Sequence, residues 1–243
     1  AHNTAIGYVS GENITTGTKN TAVGTHSLDV LTTGSFNTAI GQDALGNATT
    51  SSSNTACGQN ALAANTTGTE NTAVGMNAAA TINTGSYNIA VGRRALYAAS
   101  SCSNNIAIGR SCMEDATSDA ENNVCIGSVA GFALRSDANV VVGYEALKAS
   151  TTGGANTAIG YEALEDTNSS NNTACGFRSL YHSTGTNNTG YGYLGGGGIT
   201  SGGYNTAIGL QLERRLLADI LIPLLVILQV IPTHLVLVIL LWV

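Results

Sequence analysis

The sequence predicts an all-β fold, a parallel β-roll (β-solenoid) of about thirteen 17-residue coils, and three observations carry that expectation. A five-residue segment, first met as Asn3-Thr4-Ala5-Ile6-Gly7, recurs with its glycine at 7, 24, 41, 58, 75, 92, 109, 127, 143, 160, 176, 192 and 209. The interval between glycines, nearly constant but for one long and three short coils, holds short strands and turns but leaves no room for a helix in each repeat. The composition agrees. Thirty Gly, 10% charged residues, 3 Phe, 1 Trp and 2 Met do not fill a thick single core.

The segment itself reads as a strand. The residue before the glycine is Ile or Val except for Cys57, Cys175 and Tyr191, and the one before that is nearly always Ala. Alternation places the Thr and Ile positions on one face and the Asn, Ala and Gly positions on the other. No charged residue falls between the Thr and the Gly in any copy, so both faces are expected to be covered, one of them by something other than the coil itself. Asparagine begins every copy: Asn3, Asn20, Asn37, Asn54, Asn71, Asn88, Asn105, Asn123, Asn139, Asn156, Asn172, Asn188 and Asn205. Stacked coils turn that column into a ladder of side-chain amides.

Behind the strand comes a smaller apolar pair, as in Ala44-Leu45, Ala61-Leu62 and Ala146-Leu147. A Thr-Thr-Gly turn follows, with Gly17, Gly34, Gly68, Gly85 and Gly153 in register, where positive φ is the expected reason for glycine. Charges collect two places past the strand glycine, at Asp43, Arg94, Glu145, Glu162 and Arg178.

The unit N-T-A-I-G-x-x-A-L followed by T-T-G resembles the repeats of trimeric autotransporter adhesin heads, which form a left-handed parallel β-roll, and similar repeats of phage tail fibres. The likeness covers residues 1–209. It implies a homotrimer whose rolls pack strands around a shared axis, a non-enzymatic structural or adhesive module of an extracellular or surface fibre, and a location outside the cell or on a cell or virion surface. The chain departs from the adhesin pattern in having Thr-Ala where those repeats have Ser-Val-Ala, and in showing no stalk or barrel anchor.

Candidate chemistry is sparse. His2, His26, His182 and His234 have no partners at metal-ligand spacing, and the carboxylates are scattered in sequence, so neither metal, cofactor nor catalytic residues are assigned. Gly190-Tyr191-Gly192-Tyr193-Leu194-Gly195 matches a nucleotide-loop pattern without the strand-to-helix setting that such a loop needs. A net charge of −6 gives no footprint for nucleic acid. Of five cysteines, Cys57 and Cys175 take the Ile position, Cys125 and Cys112 take small apolar positions, and Cys102 stands at the turn glycine, where exposure is expected. Two zones are candidate binding surfaces for a glycan or a matrix protein: Tyr144, Tyr161, Phe177 and Tyr193, which share one position in consecutive coils, and Arg93, Arg94 and Arg110 near an acidic stretch. The alternative function is an ice- or crystal-surface binder built on the Thr rows, although Ile89, Ile106, Val124 and Val140 interrupt them.

Residues 210–243 form a separate apolar tail. Ile220 to Val243 is long enough to span a bilayer, which would make the membrane a partner. The beat of the repeat nevertheless runs on from Gly209 to Val226 and Val243. Asn-Thr-Ala-Ile-Gly, written AAT ACC GCT ATT GGT and read one nucleotide late, encodes Ile-Pro-Leu-Leu-Val, the sequence at Ile222 to Val226. The tail is therefore either an anchor or repeat sequence in a displaced frame.

Overall fold

The computed structural model describes residues 2–117 and 120–210, together with the backbone of two strands in the tail. The chain is an all-β parallel solenoid of about twelve turns with repeats about 17 residues apart. Its contacts group into two compact units, residues 1–129 and 130–243.

The first unit holds β1 (Thr4–Ile6), β2 (Thr21–Val23), β3 (Thr38–Ile40), β4 (Thr55–Cys57), β5 (Thr72–Val74), β6 (Ile89–Val91), β7 (Ile106–Ile108) and β8 (Val124–Ile126). Each pairs in parallel with the next, and like positions stand opposite each other: Thr4 on Thr21, Ala5 on Ala22, Ile6 on Val23. The second unit repeats the arrangement with β9 (Val140–Val142), β10 (Thr157–Ile159), β11 (Thr173–Cys175), β12 (Thr189–Tyr191) and β13 (Thr206–Ile208). The two short coils inside this unit, Gly160 to Gly176 and Gly176 to Gly192, keep the strand register intact, because their turns absorb the missing residue.

Among the described residues one strand per coil is present rather than the two that a repeat of this length would accommodate. The other side of the coil is still stitched to its neighbour, for example Leu45 N–H to the Ala61 carbonyl at 3.0 Å and Leu62 N–H to the Ala78 carbonyl at 3.0 Å. It is not extended, because left-handed residues interrupt it. In the coil of β3, Phe36, Asp43 and Leu45 have φ of 62°, 55° and 50°, and Gly41 has 134°. The strand-end glycine is thus fixed by conformation and by space, since a Cβ on Gly41 would lie 2.6 Å from the Gly58 carbonyl oxygen.

The turn glycines correct the sequence expectation. Gly17, Gly34, Gly68, Gly85 and Gly153 are not in the positive-φ region; a Cβ there would collide with the backbone carbonyl of the next coil, which is a packing reason. Ser51 and Cys102 hold the same place in their coils, and Cys102 is fully buried, against the expected exposure.

Each unit has its own core column: Leu28, Leu45, Leu62, Leu96 and Met113 are buried in the first and Leu147, Leu164 and Leu180 in the second, together with strand alanines such as Ala39, Ala56 and Ala158; Leu31 is buried beside Leu28. Where glycine replaces the leucine, at Gly131 and Gly196, a bulky residue three places on, Leu134 or Ile199, is buried in its stead; Ile82 does the same beside Ala79. Each coil thereby buries about one large aliphatic side chain, worth roughly 1.5–3 kcal/mol.

In the tail, β14 (Leu225–Gln229) lies parallel to β13 and β15 (Val236–Leu240) runs antiparallel to β14. Val226 stands opposite Ile208, one place away from the Gly209 partner that the beat of the repeat would give. The rest of the tail and its side chains lie outside the described residues, and with them the anchor and displaced-frame readings. Among the described residues no helix is long and apolar enough to cross a membrane.

Candidate assembly face and outer corner

The strand has two unlike faces. Its Asn and Ala positions point into the coil and are buried in both units, as at Asn54, Ala56, Asn156 and Ala158. Its Thr and Ile positions point outward. Val74 is 38% and Ile40 42% exposed in the first unit; Ile159 is 39% and Ile208 44% exposed in the second. Cys57 and Cys175 sit half-buried in this outer column. The inner face is covered by its own coil, while the outer face, uncharged in every copy, is open in the single chain.

The asparagine column forms a ladder, though its bonds run largely to backbone. Asn37 Oδ1 accepts the Asn54 backbone N–H at 3.0 Å, and Asn54 Oδ1 accepts that of Asn71 at 2.9 Å. The amide Nδ2 donates to a carbonyl in the following turn, Asn54 to Gly68 at 2.9 Å and Asn71 to Gly85 at 2.8 Å. Direct amide-to-amide bonds are a secondary component, as between Asn88 Nδ2 and Asn71 Oδ1 at 3.0 Å. The second unit repeats the rule: Asn156 Oδ1 accepts the Asn172 N–H, and Asn172 Oδ1 that of Asn188, both at 2.9 Å. One side chain therefore ties each strand to the next and to the turn that follows it.

Tyr144, Tyr161, Phe177 and Tyr193 form the expected ladder at the first position past the strand glycine. Ring centroids are 5.2, 5.2 and 5.0 Å apart with interplanar angles of 19°, 9° and 6°. Parallel rings at this separation cannot lie side by side without overlap, so they turn their faces to each other and leave their edges half-exposed. Beside them stand two further columns, Glu145, Glu162 and Arg178, and Lys148, Glu165 and Tyr181. Lys148 Nζ lies 3.0 Å from Glu145 and 3.9 Å from Glu165, and Arg178 Nε donates to Glu162 at 2.5 Å while its guanidinium lies over Phe177 and Tyr181.

The titration of this corner follows from those contacts. The Tyr144 hydroxyl, with Lys148 behind it, holds Glu145 below its ordinary range. The Glu162 carboxylate raises Tyr161, and Glu165 pushes Tyr181 up to about 12. Glu145, Glu162 and Glu165 bring ligand oxygens within 4.8 Å of one another, the one such group among the described residues. Lys148 and Arg178 already pair with these three carboxylates, so the arrangement is a cross-coil ion network. Along the sequence these acids look scattered; aligning the coils in columns brings Glu145 onto Glu162 and Lys148 onto Glu165.

The arginine zone divides. Arg93 and Arg110 share one exposed column, whereas Arg94 is held 3.0 Å from Glu114 and lies over the Tyr97 ring at 4.5 Å. The glycine-rich Gly190 to Gly195 enters β12 and the turn after it, with no helix following. Comparison with protein-family models, with curated proteins and with solved structures finds no match to this chain.

Proposed function

We propose that the chain is a structural and adhesive module of an extracellular or surface fibre, assembled as a homotrimer through the outer strand faces in the manner of the autotransporter adhesin heads and tail-fibre repeats that it resembles. The observation that carries this reading is the open outer column: an uncharged row of Thr with Ile, Val or Cys, half-exposed on coil after coil in both units. Rows of apolar side chains on a soluble surface mark places where protein meets protein. Packing like columns together would bury this row and leave the charged outer corners in solvent. Those corners, with Tyr edges, carboxylates and arginines, then offer shallow contacts to a glycan or matrix protein, repeated along the assembly and summed by avidity.

Light scattering on the purified chain tests the reading. The expected mass is three times the 24.6 kDa chain, and a well-folded monomer overturns it. Ice or crystal binding has one observation in its favour: Thr4, Thr21, Thr38, Thr55 and Thr72 stand in strict register on the outer face. Thermal hysteresis in solution would favour that reading over the fibre.

A further inference from the structure

Two columns of small residues face each other inside the coils. One is the third position past the strand glycine, where Ser10, Ser27, Ala44, Ala61, Ala78 and Ala95 precede Cys112; the other is the middle of the strand, where alanines precede Cys125. The contact between the columns is regular. Ser10 Oγ lies 3.1 Å from the Ala22 carbonyl oxygen, and at the equivalent place further along the chain Cys112 Sγ lies 3.2 Å from the carbonyl oxygen of Cys125. The single cysteine of each column thus falls opposite the other, and both are fully buried. They face each other in the coil between β7 and β8, which runs from Gly109 to Gly127 and is the one long coil of the repeat. This coil also lacks the Thr-Thr-Gly turn and carries Glu114, Asp115 and Glu121.

We infer that Cys112 and Cys125 form an intramolecular disulfide that staples this irregular coil. The coil lacks the consensus turn, as do the coils before and after it, where Ser100-Ser101-Cys102 and Arg135-Ser136-Asp137 stand in its place, and a cross-link between its two inner columns restricts the unfolded chain in that segment. Formation is an exchange with a low-molecular-weight disulfide such as oxidised glutathione. One cysteine thiolate attacks it, releasing a small thiol and leaving a mixed disulfide; the second thiolate displaces the other small thiol. Two protein thiols lose two hydrogens and one small disulfide gains them. Burial and the neighbouring Cys112 thiol hold the Cys125 thiol well above its usual range, so exchange belongs to the open chain, before the coil closes. The other cysteines offer no rival partner in the same place: Cys102 contacts Asn88 and Asn105, and Cys57 is in the outer column. An exported fibre would meet the oxidant outside the cytosol, but the pairing does not depend on that setting.

The sequence makes the test clean, because the tryptic peptide from Ser111 to Arg135 contains both cysteines and none of the others. The full chain is refolded in mixed oxidised and reduced glutathione, denatured, alkylated without reduction and digested. The expected peptide is unalkylated and lighter by two hydrogens than the dithiol, while the peptide bearing Cys102 is alkylated. Two alkyl groups on Ser111 to Arg135, or a glutathione adduct there, overturns the inference. The double variant Cys112→Ala, Cys125→Ala restores the common residue of both columns and should fold. Reductant should lower the melting temperature of the unaltered chain and leave the variant unchanged; equal melting of the unaltered chain with and without reductant overturns the stapling role.

Discussion

Replacing Asn71 by alanine removes one rung of the ladder and nothing else of the coil's shape. Its Oδ1 accepts the Asn88 backbone N–H at 3.0 Å and its Nδ2 donates to the Gly85 carbonyl at 2.8 Å. The site is 1% exposed, so water cannot take over. A buried donor and a buried acceptor left without partners cost roughly 1–3 kcal/mol each, and partial relaxation puts the sum at about 2–5 kcal/mol. For a chain of this size that is about 5–15 °C in melting temperature. The reference substitution is Asn47→Ala, at an exposed residue with ordinary φ. Asn77, also outside the ladder, would mislead: its φ of 58° suits asparagine better than alanine, and it accepts a hydrogen bond from Asn60. Thermal melts followed by circular dichroism give the shift, and amide exchange should show the Asn88 N–H losing protection. Equal, small shifts for Asn71→Ala and Asn47→Ala would refute the ladder as a source of stability.

Three further substitutions probe other columns. Val74→Glu, on the outer face, should leave the coil's circular dichroism intact and dissociate the proposed trimer in light scattering, whereas Ala73→Glu, fully buried one residue earlier, should unfold the chain because an unpaired buried charge costs several kcal/mol. Gly75→Ala forces a Cβ to 2.8 Å from the Gly92 carbonyl at a φ of 130° and should cost several kcal/mol in denaturant titration, while Gly46→Ala, outside the positive-φ region, should cost far less. Glu145 titrates below its ordinary value, so its contribution to stability is present at neutral pH and lost as pH falls through the lowered folded value; Glu145→Gln should flatten the fall in unfolding midpoint between about pH 5 and pH 3.

The repeat made much of the fold legible. Comparing copies within the chain located each strand, the division of Asn and Ala from Thr and Ile onto opposite faces, and the aromatic stack, while burial shows that the Asn and Ala face is the inward one. What escaped was conformation that residue type conceals. Leu45, Leu62 and Leu96 are left-handed at φ of about 50°, a region leucine avoids in isolation, and only their burial and inter-coil hydrogen bonds hold them there. A signal was present: Gly11, Gly131 and Gly196 occupy that same position in three coils, with positive φ. The turn glycines misled in the opposite sense, since glycine serves there for close approach of two backbones. The Glu145, Glu162 and Glu165 cluster escaped because acids on successive coils look unrelated along the chain and become neighbours only when the coils are stacked.

The columns also differ in how far they vary, and the difference separates scaffold from surface. Positions that bond to the coils above and below are nearly fixed: the strand asparagine and glycine admit no other residue in thirteen copies, and the strand alanine yields only to Cys125, Val141 and Gly190. From Gly7 to Gly192, the two positions after the strand glycine carry Tyr, Thr, Gln, Met, Arg, Ser or Phe at the first and His, Asp, Asn, Arg, Ser, Glu, Val or Leu at the second, although the second keeps the same left-handed φ throughout. A backbone that keeps its conformation while its side chains change freely can carry different chemistry at every coil without altering the core. In the second unit that freedom has produced an aromatic stack bordered by an ion network; in the first it has produced Arg93 and Arg110 in one column. The inner columns are committed to holding each coil on the next, which leaves chemical variety to the outer corner columns.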